Sequence, residues 1–74
     1  MSKLSPVKPA ELIRILEAMG FVRIRQSGSH VVLRHPDGRW TTVPMHKRKD
    51  VAKGTLSKIL RDVGLTYDEF AGRK

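Results

Sequence analysis

The 74-residue sequence predicts an α+β domain with the element order α-β-β-β-α. Two stretches with helical apolar spacing flank one stretch of alternating residues, and that stretch is broken by two glycine turns. A chain of this length has room for a single small core, expected over about residues 9–70, with flexible ends at 1–7 and 71–74.

The first helix is read in "KPAELIRILEAMGF". Pro9 stands where a first helical residue tolerates a missing N–H, and Gly20 stands where a left-handed C-terminal residue is wanted. Leu12, Ile13, Leu16 and Met19 share one face, with Ile15 at its margin, while Glu11, Arg14 and Glu17 lie opposite.

The meander follows in "FVRIRQSGSHVVLRHPDGRWTTVP", with turns at "QSGS" and "PDG". Period-two alternation places Val31 and Leu33 on one face of the second strand and His30, Val32 and Arg34 on the other. On the first strand Val22 and Ile24 are expected on the core face, opposing Arg23 and Arg25. Trp40 and Val43 fall on different faces of the third strand. Pro44 ends it, because proline cannot donate to the ladder.

A polar run, "MHKRKDVAKG", leads to a second helix with Gly54 or Thr55 as the expected cap. Leu56, Ile59, Leu60 and Val63 keep helical spacing there, and Gly64 ends it. Thr66 and Glu69 then form a capping box with Leu65 and Phe70 at the staple positions, which predicts a short third helix or turn. Two helices can cover one face of a three-stranded antiparallel sheet and leave the other face in water. This order is that of double-stranded-RNA-binding-like domains, and a fold by itself does not give a function.

Charge narrows the partners. The formal net charge is +8, and from Arg23 to Lys53 there are eight basic residues against two acidic ones. A concentrated positive field attracts polyanions, nucleic acid first and an acidic protein surface second. No segment approaches the ~20 apolar residues of a membrane helix, no basic helix has a bulky apolar face for lipid, and the N-terminus lacks the apolar run of a signal peptide. The chain has no cysteine, which excludes disulfides and thiolate metal sites and fits a cytoplasmic setting.

Three histidines are candidates for chemistry. A lone strand histidine is more often a solvated polar residue. His30, however, directly follows Ser27, Gly28 and Ser29, whose turn amides can bind a phosphate oxygen. Arg23, Arg25 and Arg34 stand on strand positions expected to share its face. An imidazole among phosphate-binding cations suits RNA cleavage: it takes a proton from the ribose 2′-OH or gives one to the leaving 5′-oxygen, without a metal. His46 is more often a loop residue, and is the candidate for a second acid or base. His35 falls on the core side at a hairpin end and reads as structural. Lys47, Arg48 and Lys49 form a basic cluster, either a solvated run or a phosphate contact. The seven acids are scattered, so neither a metal nor a cofactor is expected.

With these residues in view, the chain resembles the HicA toxins, small mRNA interferases of toxin–antitoxin pairs. The resemblance rests on "GF" at Gly20–Phe21, "GSH" at Gly28–His30, "HPDGR" at His35–Arg39, "VPMH" at Val43–His46 and "GTLSKIL" at Gly54–Leu60. It implies a double-stranded-RNA-binding-like fold, metal-independent endoribonuclease activity on mRNA, and His30 as the catalytic histidine. It also implies a HicB-type antitoxin that masks the toxin and supplies any contact with operator DNA. The alternative from a different class is a non-catalytic RNA-binding module that docks RNA on the "HKRK" loop.

Overall fold

A computed structural model describes residues 6–46 and 49–74. Helix α1 spans Pro9–Ala18, strands β1, β2 and β3 span Val22–Ser27, His30–Arg34 and Trp40–Pro44, and helices α2 and α3 span Lys53–Val63 and Tyr67–Ala71. The sheet is antiparallel in the order β1-β2-β3, with the helices packed against it. Among the described residues no helix is long and apolar enough to cross a membrane.

Pro9 is at the start of α1, as its fixed φ and missing N–H favour. The helix closes in a Schellman pattern: Gly20, at φ 105°, donates to the Glu17 carbonyl, and Phe21 donates to that of Leu16, both at 3.0 Å. This closure buries Phe21 beside Leu16. Ile15 is fully buried rather than marginal, so the apolar stripe of α1 is wider than its spacing suggests.

Helix α2 begins at Lys53 with Ala52 as its N-cap and no side-chain cap, so Gly54 and Thr55 lie inside its first turn. The Leu56 N–H already reaches the Ala52 carbonyl at 2.8 Å. The exposed first turn leaves its other donors to water. Leu56, Ile59, Leu60 and Val63 are all buried, as their spacing predicts. Arg39 donates to the Val63 carbonyl and so caps the other end. The capping box of α3 is complete: Glu69 N–H donates to Thr66 Oγ1 at 3.1 Å, and Thr66 N–H to Glu69 Oε1 at 2.8 Å. The Thr66 backbone N–H, and then its side chain, hold the Glu69 carboxyl below its usual value.

The core faces β2 and β3. Val31, Leu33, Thr41 and Val43 point inward, packed with α1, α2, Phe21 and Phe70. Thr41 is the one buried polar residue among those described, and its hydroxyl donates to Asp62 Oδ2 at 3.0 Å, tying β3 to α2. The core also reaches back to Val7, which is 1% exposed and accepts from the Val51 N–H at 2.8 Å. The expectation of a loose segment to residue 7 is therefore corrected at Val7. Residues 1–5 lie outside the described residues.

The face assignment of β1 also differs from expectation. Val22 pairs with Arg34 and Arg23 with Leu33, so Val22 stands on the open face and Arg23 on the helix side. Ile24 is a bulge residue, passed over between Arg23 and Arg25. Both apolar residues are more than half exposed, at 57% and 56%. Alternation separated Val22 from Arg23, but the faces were chosen by apolarity, and the bulge breaks the alternation after Arg23. The helices had already filled their apolar stripes on β2 and β3, which leaves β1 as an exposed edge.

Candidate nucleic-acid interface

The uncovered face of the sheet is built by pairing rows. Ser27, His30 and Pro44 form one row, Arg25, Val32 and Thr42 the next, and Val22, Arg34 and Trp40 the third. The bulge decides which arginine belongs. Counting on from the inward Arg23, unbroken alternation would turn Arg25 inward as well. One extra residue, Ile24, returns Arg25 to the open face beside Val32. Arg23 is removed from this group, because its Nε donates to Glu17 of α1 at 3.1 Å on the helix side. The expectation that Arg23 shares a face with His30 is thus corrected. Its side chain is spent on anchoring the edge strand to α1.

His30 is exposed and takes no hydrogen-bond or ion-pair partner among the described residues. Arg25 and Arg34 are likewise exposed and unpaired among them. The turn before His30 is tight: Ser27 and His30 pair directly, and Gly28 takes φ 56°. A positive φ at this position favours glycine. The Ser29 carbonyl accepts from the Met45 N–H, which carries the third strand past Pro44 to the turn. His46, exposed, therefore follows at the same end of the sheet as His30. Lys49 is exposed and donates its N–H to the His46 carbonyl at 3.3 Å. Lys47 and Arg48 lie outside the described residues.

His35 belongs to a different construction. Its ring packs edge-on against Phe21, with centroids 5.1 Å apart at 63°. Its Nδ1 accepts from the Asp37 N–H at 3.1 Å, so in the neutral ring the proton sits on Nε2. Nδ1 also lies 3.1 Å from Asp37 Oδ1, a contact that becomes an ion pair only when the ring is protonated. Arg39 completes the group: it bonds Asp37 Oδ2 at 2.8 Å and lies 5.3 Å from the Phe21 centroid. The Arg39 backbone N–H, and then its guanidinium, hold the Asp37 carboxyl below its usual value. The run "HPDGR" is in this way accounted for by a turn and a helix cap.

Sequence reasoning passed over three residues of the open face: Val22, Ile24 and Trp40, the last 60% exposed. For Trp40 the signal was present, since an inward Val43 puts Trp40 outward. For the other two it was hidden by the bulge. Among the described residues no three histidine, aspartate or glutamate side chains come together as a metal-ligand set.

Element order, sheet and open basic face together define a small α+β domain of the double-stranded-RNA-binding-like order. Over residues 9–65, from the first residue of α1 to just past α2, the chain matches the family model described as the HicA toxin of bacterial toxin–antitoxin systems, and it belongs to that family. No curated protein matches the chain.

Proposed function

We propose that the chain is the toxin of its pair by virtue of cutting mRNA, with His30 as the general acid or base. The observation that carries this reading is the state of His30: an imidazole without a partner among the described residues, at a glycine turn, on a face whose arginines are likewise unpartnered among them. A structural histidine of this chain looks different, as His35 does. The chemistry balances without a cofactor. Imidazole removes the ribose 2′-OH proton, and the 2′-oxygen attacks the adjacent phosphorus. The bond to the 5′-oxygen breaks, and that oxygen takes up a proton. The products are a 2′,3′-cyclic phosphate and a 5′-OH end. His46, at the same end of the sheet, is the candidate for the second proton transfer. Arg25 and Arg34 carry the phosphates, and the turn amides of Ser27, Gly28 and Ser29 offer a further anion contact. Lys47, Arg48 and Lys49 extend the positive field, and a HicB-type antitoxin silences the toxin by masking this face and supplies any contact with operator DNA.

The test is purified protein on labelled RNA in EDTA. The expected result is cleavage with cyclic-phosphate ends, while the DNA strand of the same sequence survives because it lacks the 2′-nucleophile. Cleavage that vanishes with chelation and returns with magnesium would overturn the mechanism. RNA bound in a salt-dependent way but never cut would leave a binding module in place of the enzyme.

A further inference from the structure

The third row of the open face is unusual for a small, highly charged domain. It sets Trp40 beside Arg34 and Val22. Val22, Ile24 and Arg34, with His35 and Pro36, line a shallow hollow next to it. Trp40 makes no ring or cation contact with another described residue, and Arg34 has no ion-pair partner among them. Large apolar side chains that cluster in the open mark a binding surface more often than isolated ones do. No acidic residue stands on any of the three rows.

The ligand that suits this row has a flat apolar plane and a negative charge held close to it, and a nucleotide has both. The arrangement is also directional. Arg34, then Arg25 at the level of Val32, then His30 follow one another down β2 on one face. Arg34 and His30 are four positions apart, about 13 Å at the usual strand rise. We propose that Trp40 is a stacking platform for an unpaired base of an RNA strand whose phosphates run past Arg34 and Arg25 toward His30. The stacked base belongs to a nucleotide flanking the scissile bond, because the ring lies too far along the strand to meet the reacting one. A base paired in a duplex has no free plane to offer, so the substrate is single-stranded at this position. The inference rests on the RNA reading of the face and adds the form of the substrate and the residue that holds it.

Trp40 is the single tryptophan of the chain, so its fluorescence reports this site alone. The probe is a short 2′-O-methyl oligoribonucleotide, which has no free 2′-OH to attack. It is compared with the same backbone made abasic and with its duplex. The single strand is expected to quench Trp40, while the abasic strand and the duplex leave its emission unchanged. Trp40→Ala should weaken single-strand binding roughly fivefold to a hundredfold, the range for one lost base stack, and Trp40→Phe should restore most of it. Circular dichroism checks that both variants fold, which the exposure of Trp40 favours.

Equal quenching by the abasic strand or the duplex, or unchanged affinity in Trp40→Ala, overturns the proposal. Trp40→Ala that binds the oligonucleotide normally but loses the antitoxin assigns the row to a protein partner and overturns it as well. Cleavage of ordinary RNA is read separately. Cleavage without stacking refutes only this inference, and stacking without cleavage refutes only the nuclease reading.

Discussion

His30 and His35 stand at opposite ends of β2, five positions apart, His30 as its first residue and His35 just past Arg34. Their surroundings could hardly differ more. His35 is held on three sides, by the Phe21 ring, the Asp37 backbone and the close approach of Gly20, where an added Cβ would lie 3.0 Å from Nε2. His30 is held by its backbone alone. The ring of His35 is part of the packing, whereas that of His30 stands exposed on a rigid ladder, open to a ligand. The contrast places packing at one end of β2 and leaves the other end open for the chemistry proposed for His30.

The largest effect that would break this division is expected from His30→Ala. Cleavage should fall about 10²–10⁴-fold, with stability unchanged to within about 0.5 kcal/mol because an exposed position loses no packing. Single-turnover cleavage of labelled RNA and a thermal melt read the two quantities. Wild-type cleavage by the variant would move the chemistry to His46.

His35→Ala should do the reverse. It should cost about 1–2 kcal/mol through the lost edge-on ring contact and the lost acceptor for the Asp37 N–H. For a domain of this size that is a fall in Tm of about 4–8 °C per kcal/mol. Cleavage per folded molecule should stay the same. Gly20→Ala should also destabilise, because φ 105° disfavours a side chain and the Cβ meets His35. Part of that penalty should disappear in the double variant, where the ring is gone. Strict additivity would show that the ring and Gly20 do not press on one another.

The smallest effect lies at acid pH. Asp37 has a folded-state pKa below its ordinary 3.8, so it adds stability above that value and loses it as pH falls through the depressed one. Asp37→Asn should therefore flatten the decline of Tm below about pH 4, with cleavage at neutral pH untouched. A parallel decline in both proteins would remove Asp37 from the His35 end of the comparison.

Much of this was legible in the residues. The helices announced themselves through local signals that tertiary structure had no reason to override: Pro9 and Gly20 around α1, the four-residue stripe of α2, the reciprocal caps Thr66 and Glu69. β2 and β3 were legible because their inward residues are buried and their alternation is unbroken. The outward position of His30 was legible for the same reason, since an inward Val31 fixes its neighbour outward. β1 was not legible. Val22 and Ile24 are apolar, yet no helix covers them, and Ile24 sits outside the register. Alternation counts residues, and it cannot see which of them the partner strand skips. Arg23 was misplaced with them, for its partner Glu17 lies on another element. The cap at Ala52 was missed because an exposed first turn leaves no side-chain signature.

The bulge has one more consequence, which concerns chain length. Ile24 is a residue that the ladder counts past. Without it, the pairs from Val22↔Arg34 to Ser27↔His30 run in order with no gap. Deletion is ordinarily among the harshest changes to a strand, because it turns every later side chain over. At this one position it should leave each remaining side chain on its present face, and only the local twist and one wall of the hollow would be lost. An added residue between Arg25 and Ser27 has no such shelter. The same strand is thus tolerant of shortening at one point and intolerant of lengthening two residues later, and a length variant of this domain should show its change at Ile24.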